Sequence, residues 1–256
     1  MPEQVVATVV AAQHLGARAH LLWANAPALA ASARPGQFVM VRCGEGQGHD
    51  PYLRRPLSIH RIDGGAGNIA LLFAEVGRGT RWLAQRQPRD VLDMVGPLGN
   101  GFTLPDHTGA RLLLVAGGMG IAPLMALAET GLARGHGVTL LQGAATAARL
   151  YPAELVPAGL RMMSATEDGS AGFKGLVSHL VSSYVKDTDA IFACGPVPMY
   201  RALGKLKELR GKPMQVSMEA RMGCGLGACF GCTIETTAGP KRVCLDGPIF
   251  ELGQLF

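Results

Sequence analysis

Four of the chain's six cysteines fall within 21 residues, at Cys224, Cys229, Cys232 and Cys244, in the arrangement C-x4-C-x2-C-x11-C. No other feature of the 256 residues restricts the fold as tightly, because one short segment must gather four thiols. Glycines at 223, 225, 227 and 231 are interspersed, so backbone amides can approach the sulfurs and offset the cost of burying negative charge. The opening C-x4-C-x2-C has the ligand spacing of a plant-type [2Fe-2S] cluster. A structural zinc site is the alternative, although such sites are usually built from two short knuckles and Cys244 stands alone. A disulfide framework would need an oxidising compartment, for which nothing in the sequence argues. Cys43 and Cys194 read as buried small apolar residues or as neighbours of a site.

Composition sets the frame around this segment. With 48% hydrophobic residues, 17% charged residues and a net charge of +5, the chain has the makeup of a folded protein rather than a disordered one. Its longest apolar run, residues 112–128, is shorter than the ~20 residues a membrane-crossing helix needs, and glycines and Pro123 break it. The opening residues show no basic stretch before an apolar core, so the expected location is the cytoplasm, with no membrane partner. Basic residues are scattered. Only Arg54-Arg55 and Lys241-Arg242 are adjacent, so nucleic acid is not expected as a partner.

Three regions follow one another. Residues 1–105 are expected to be all-β: short apolar segments at 5–10, 37–41 and 69–73 recur between turns, as in a small antiparallel barrel or sandwich. The stretch Gly96-Pro97-Leu98-Gly99-Asn100-Gly101 reads as a closing loop. Residues 106–212 alternate strands (112–116, 137–141, 161–165, 189–194) with helices (122–134, 174–185, 197–210), which implies a parallel sheet with right-handed crossovers. Residues 213–256 open with a strand at 214–218 and run straight into the cysteine segment.

Several loops have the chemistry of nucleotide sites. Gly117-Gly118-Met119-Gly120-Ile121-Ala122-Pro123 follows a strand and opens a helix, where free N–H groups and the dipole attract pyrophosphate. Such glycines also serve close packing of a helix on a sheet. Cys194-Gly195-Pro196 ends a strand at the edge where ligands of α/β sheets collect, or is an ordinary turn into a helix. Arg54-Arg55-Pro56-Leu57-Ser58 places a guanidinium, able to clamp phosphate with paired donors, near a hydroxyl. Gly77-Arg78-Gly79-Thr80 offers a backbone nest for an anion. Taken alone, each of these two reads first as a surface loop.

In combination and in this order, the barrel, R-P-L-S, G-R-G-T, G-G-M-G-I-A-P-L and C-G-P resemble the ferredoxin–NADP reductase superfamily. The tail Met218-Glu219-Ala220-Arg221-Met222-Gly223-Cys224, with Arg242-Val243-Cys244-Leu245-Asp246-Gly247-Pro248-Ile249-Phe250, narrows the resemblance to the electron transfer subunits of B-type, NAD-linked dihydroorotate dehydrogenase. Gly96-Pro97-Leu98-Gly99-Asn100-Gly101-Phe102 and Thr166-Glu167-Asp168-Gly169-Ser170-Ala171-Gly172 are also similar to that family.

The resemblance implies an FAD-binding β-barrel (1–105), an NAD-binding α/β domain (106–212) and a [2Fe-2S] subdomain (213–256). In that arrangement Arg55, Pro56, Leu57 and Ser58 contact flavin and its diphosphate, Leu72, Phe73 and Ala74 line the flavin, and Gly79 and Thr80 bind the pyrophosphate. Gly117, Gly118 and Gly120 serve NAD, and Cys194, Gly195 and Pro196 lie near its reactive ring. Cys224, Cys229, Cys232 and Cys244 hold the cluster. Gly143-Ala144-Ala145-Thr146 lacks an arginine for a 2′-phosphate, which favours NAD, while Arg149 close by keeps NADP open.

The expected role is to carry electrons between NAD(H) and an FMN-containing dihydroorotate dehydrogenase catalytic subunit, in a 2:2 heterotetramer of pyrimidine biosynthesis. No segment reads as a catalytic domain for dihydroorotate itself. A subunit feeding ferredoxin, a hydrogenase or a sulfur reductase is the alternative among enzymes. A zinc-stabilised interaction module is the alternative from another class.

Overall fold

Alternating burial bends the first six strands into a closed barrel. In the computed structural model, which describes residues 2–16, 18–44 and 51–256, these are β1 (Glu3–His14), β2 (Ala19–Asn25), β3 (Phe38–Val41), β4 (Arg55–Asp63), β5 (Asn68–Ala74) and β6 (Val91–Leu98). They pair antiparallel in the order β1-β2-β5-β4-β3-β6. On β6, Leu92 and Met94 face inward while Val91, Asp93 and Val95 face outward, the period of two that a half-buried strand requires. Val9, Leu22, Val39, Ile59 and Leu71 meet them in the core, with Leu29 from α1 (Pro27–Ser32) and Leu83 from α2 (Arg78–Ala84).

The turn-rich segment 96–101 is strand as far as Leu98, not loop throughout. Leu98 pairs with Phe38, and the β3–β6 register shifts between there and the Met40–Val95 pair. That irregularity is where a proline can sit inside a sheet, because Pro97 removes no regular ladder bond.

Beyond the barrel, β7 (Arg111–Gly117), β8 (Gly137–Ala144), β9 (Arg161–Thr166), β10 (Phe173–Lys174), β11 (Ala190–Cys194) and β12 (Met214–Ser217) run parallel. A hairpin of β13 (Thr233–Ile234) and β14 (Lys241–Arg242) lies in the tail. β15 (Ile249–Glu251) then returns to complete a sheet ordered β10-β9-β8-β7-β11-β12-β15, antiparallel at its last pair. Leu112 to Ala116 are all buried, the mark of a central parallel strand covered on both faces.

Helix α3 (Leu124–Ala133) is buried almost all round because it is wedged between sheet and barrel, sharing a core with Leu21, Ala70 and Leu72. Helices α4 (Val177–Tyr184) and α5 (Val197–Lys205) cover the other face. The helix expected from 174 starts only at Val177: Phe173 and Lys174 form the edge strand, and Gly175, at φ +136°, breaks the chain direction. The helix expected over 197–210 stops at Lys205, followed by a 3-10 turn over Lys207–Leu209. Among the described residues no helix is long and apolar enough to cross a membrane.

The barrel is also joined to the sheet by polar contacts from β4. The fully buried His60 ring lies 3.0 Å from the Ala122 carbonyl and 3.0 Å from the Tyr151 hydroxyl. Its neighbour Arg61 reaches Glu129 at 3.4 Å and donates to the Leu155 carbonyl.

Candidate functional site

Barrel, sheet and tail meet around one cleft of about 460 Å³. The barrel lines it with Phe38, Arg55, Pro56, Leu57, Ser58, Leu72, Phe73, Ala74 and Thr80. The sheet side adds Met119, Ala122 and Ser217, and the tail adds Met218, Glu219, Ala220, Met222 and Pro248. The residues expected on β4 and β5 are therefore gathered on one mostly apolar wall, which suits a planar ring.

Arg54 and Arg55, equivalent in sequence, are separated by the strand's alternation. Arg54 pairs with Asp93 at 2.8 Å and donates to the Asp93 carbonyl; although burial opposes it, the guanidinium holds the Asp93 carboxyl below its usual range. Arg55 faces the cleft. Its stem lies over Gly79, where a Cβ would come within 2.9 Å of Nε, so a side chain there would push the guanidinium away. The Thr80 hydroxyl is already committed, accepting from the Val76 and Gly77 amides at 2.9 and 3.1 Å. What 79–80 can offer a pyrophosphate is backbone N–H.

A second cleft, of about 370 Å³, runs along the carboxyl ends of the parallel strands. Gly117, Gly118, Gly143, Ala144, Ala145, Arg149, Glu167, Ser178 and Pro196 are on its walls. The three glycines expected to serve NAD divide here. Gly118, at φ +56° with open space beside it, faces ligand space. Gly117 packs against Gly195 and Pro196, where a Cβ would lie 3.4 Å from the Gly195 Cα and 2.9 Å from the Pro196 ring. Gly120 lines neither cleft; its Cβ would fall 1.9 Å from the Cys194 carbonyl oxygen, so it serves close backbone approach.

Cys194 is buried at the end of β11, and burial, then the nearby Glu219 carboxylate, push its thiol far up. It faces Glu219 at 3.9 Å. Glu219 is the residue sequence reasoning quoted without a role: burial raises its carboxyl, and it closes the first cleft between sheet and tail. Cleft-lining Met119, Ser217 and Met222 were equally invisible, since nothing in their spacing distinguishes them from core.

The four tail cysteines lie in a loop packed on the barrel, where Cys232 and Cys244 share a core with Phe38, Met40, Leu98, Val243 and Phe250. The amides of Leu226 and Cys229 point at the Cys224 sulfur at 3.3 and 3.4 Å. The Gly227 amide points at Cys244 at 3.1 Å, and the Cys244 amide at Cys232 at 3.5 Å. Burial opposes ionisation of Cys224, but these amides outweigh it and draw the thiol down to about 6. Cys244 is pushed up to about 12, first by burial and then by the adjacent Cys232. Among the described residues no three His, Cys, Asp or Glu side chains are grouped for a single metal ion. Cys229 lies beside Cys224 and Cys232 beside Cys244, and Cys224 and Cys244 also feel each other's charge. Cysteine sulfurs from one loop that accept backbone amides are the donor set a two-iron cluster uses.

Residues 219–256 match the family described as the iron–sulfur cluster binding domain of dihydroorotate dehydrogenase B. Over 253 residues the chain is 41% identical to the dihydroorotate dehydrogenase B (NAD(+)) electron transfer subunit of Geobacillus thermodenitrificans, covering 97% of this chain and 96% of that protein. The chain belongs to this family. The subunit of the same name from Desulforamulus reducens is 39% identical over 256 residues, 97% of each chain. Among solved structures, the NADH-dependent reduced ferredoxin-NADP oxidoreductase, determined for insight into flavin-based electron bifurcation, matches all of this chain and 91% of its own. Its TM-score is 0.86 at 28% identity. The ferredoxin reductase in carbazole 1,9a-dioxygenase shares the fold, with a TM-score of 0.70 at 22% identity over 84% of this chain and 69% of its own. The match to the dihydroorotate dehydrogenase B cluster domain begins at Glu219, so the cluster segment and the wall of the large cleft are one continuous stretch.

Proposed function

We propose that this chain carries electrons between NAD(H) and the FMN of a dihydroorotate dehydrogenase catalytic subunit, through FAD and a [2Fe-2S] cluster, in cytoplasmic de novo pyrimidine biosynthesis. The observation that carries this is the strip Met218, Ala220 and Met222, which lines the large cleft and also packs against the core that contains Cys232 and Cys244. A ring bound in the cleft and a cluster bound in the loop would share that strip as a wall. FAD belongs between the other two centres because it accepts a hydride's two electrons together and releases them singly.

The residues divide the work. Leu57, Leu72, Phe73 and Ala74 supply apolar contact for the ring, Ser58 a hydroxyl at its edge, and Arg55 with the amides of Gly79 and Thr80 the counter-charge for a diphosphate. Gly118 lets a dinucleotide approach the end of β7, and the Gly117, Gly120 and Cys194-Gly195-Pro196 contacts fix where its reactive end lies against the barrel. Buried Cys194 closes the floor of that junction, with the Glu219 carboxylate beside it on the cleft wall. Cys224, Cys229, Cys232 and Cys244 hold the iron, and their amide partners offset its negative charge. Around them Leu226, Phe230 and Leu245 are more than half exposed, an apolar rim suited to a partner subunit. A 2:2 heterotetramer, with domains at 1–105, 106–212 and 213–256, follows the same reading. The whole-chain likeness to the NADH-dependent ferredoxin-NADP oxidoreductase supports a second reading, reduction of ferredoxin.

The test is anaerobic reconstitution with FAD, iron and sulfide, followed by mixing with an FMN-containing catalytic subunit, dihydroorotate and NAD+. Orotate and NADH should form only in the mixture. Ferredoxin reduction without coupling to dihydroorotate would select the second reading. A loaded sample without iron and acid-labile sulfide would refute both.

A further inference from the structure

His60 stands at an irregularity of β4. Between Ile59 and Arg61 that strand advances two residues while β5 advances one, from Leu71 to Ala70, so His60 is the extra residue of a bulge. A bulge re-aims the side chain it carries. Ile59 stays in the barrel core, whereas His60 is buried against Ala122 and Tyr151 of the sheet domain.

A carbonyl can only accept, so Nδ1 of the buried imidazole carries the proton and donates to Ala122, and Nε2 is left to accept from the Tyr151 hydroxyl. Burial, outweighing the Ala122 bond, keeps the imidazole neutral, as one donor and one acceptor require. Both nitrogens are thus committed, and His60 has no proton to lend to chemistry.

Its partners matter through their places in the fold. Ala122 closes the turn after β7: its amide donates to the Met119 carbonyl at 2.9 Å, and α3 begins two residues on. Within that turn Gly118 borders the second cleft, while Met119 and Ala122 border the large one. Tyr151 is tied to β8, its amide donating to the Gln142 side chain at 3.0 Å. Arg61 adds a grip further along α3, at Glu129. At the other end of β4, Arg55, Leu57 and Ser58 are on the wall of the large cleft. One strand therefore supplies that wall and also holds the turn that faces both clefts.

We propose that His60 is a positioning residue for reduction of the flavin by NADH: by holding the Ala122 carbonyl it sets the glycine turn against the wall of β4. The proposal rests on the reading above that the large cleft takes flavin and the second a nicotinamide dinucleotide. NADH passes a hydride, with its electron pair, to the flavin and leaves as NAD+. That transfer is steep in distance, a misplacement of about 1 Å costing about 100-fold. His60 itself lines neither cleft, so loosening its bond acts on the rate and leaves affinity alone.

The experiment uses flavin- and iron-loaded wild type, His60→Leu, His60→Leu combined with Tyr151→Phe, and His60→Asn. Leucine removes both bonds and strands the Tyr151 hydroxyl; the double variant removes that hydroxyl as well, which restores stability. Asparagine keeps an N–H close to the place of Nδ1, able to donate to Ala122. Stopped-flow bleaching gives the limiting rate at saturating NADH, calorimetry the NAD+ dissociation constant, and urea titration the stability. The limiting rate should fall about tenfold in His60→Leu and stay low in the double variant, although its urea midpoint recovers toward wild type. His60→Asn should return the rate to within about threefold of wild type, and NAD+ dissociation constants should stay within about threefold throughout. Should His60→Leu fail to hold flavin, the double variant and His60→Asn carry the same comparison. A double variant within about twofold of the wild-type rate, a His60→Asn no faster than the double variant, or rates that simply track the urea midpoints overturn the assignment. Wild type whose flavin NADH does not bleach overturns the proposed function, and the assignment with it.

Discussion

Replacing Gly120 by alanine tests the contact on which the reactive geometry depends. The added Cβ would lie 1.9 Å from the Cys194 carbonyl oxygen, 2.4 Å from its carbonyl carbon and 3.0 Å from the Gly195 nitrogen. Carbon–oxygen contacts settle near ~3.3 Å, so loop and strand must separate by roughly 1.4 Å. Neither side can yield by changing rotamer, since both are backbone and β11 is held between β7 and β12. The cost belongs at the upper end for overpacking, about 3 kcal/mol, which for a chain of this size lowers Tm by about 6–12 °C. The same displacement moves Gly118 and Met119 relative to Cys194-Gly195-Pro196, and a shift of about 1 Å at a reacting pair costs about 100-fold in rate. Stopped-flow bleaching of bound flavin by NADH, with differential scanning calorimetry, measures both. Flavin and iron content should be unchanged, because Gly120 lines neither cleft. A bleaching rate within about twofold of wild type, at saturating NADH, would refute the reasoning.

Other outcomes follow from the remaining contacts. Burial holds His60 at about 3, below the ordinary 6.5, outweighing the Ala122 hydrogen bond that favours its charged form. Below pH 6.5 the unfolded chain takes up a proton that the folded chain refuses, so stability is lost as pH falls toward 3, at about 1.4 kcal/mol per pH unit. In His60→Gln the loss of unfolding free energy between pH 7 and about pH 5 should therefore shrink by about 2 kcal/mol in urea titrations; an unchanged pH slope would sink this. Arg54→Ala should cost roughly 1.5–3 kcal/mol of stability while flavin retention stays near wild type. Arg55→Ala should do the reverse, weakening flavin binding by about tenfold in a dialysis assay. Cys229→Ser and Cys232→Ser should both lose iron and acid-labile sulfide, and the buried Cys232 variant should lose a further ~1–3 kcal/mol because its hydroxyl is stranded in an apolar core. Equal thermal midpoints for the two would count against that packing.

Much of this was legible because its signals are local. The barrel strands read from short apolar segments recurring between turns, and the parallel strands from unbroken apolar runs such as Leu112 to Ala116. The cysteine spacing and its glycines pointed to an iron–sulfur centre, with structural zinc as the alternative. What stayed hidden depends on contacts between distant segments. Arg54 and Arg55 cannot be told apart until Asp93 arrives from β6 to take one of them. Gly118 and Gly120 look alike in a glycine-rich loop, yet only the position of Cys194 makes one a cleft wall and the other a packing point. Glu219 belongs to the tail motif that carries the resemblance but has no role there, and becomes a cleft wall only when β12 ends beside β11. The expected helix start at 174 failed because Gly175 breaks the chain direction and frees two residues to extend the sheet edge.

The cysteine segment leaves and rejoins the sheet at almost the same place. The Met218 amide donates to the Pro248 carbonyl at 2.8 Å, and Ser217 pairs with Ile249. The sheet's own hydrogen bonds therefore clamp the base of this excursion, so bringing its two ends together is a cost met by the fold and not charged to whatever the four thiols bind.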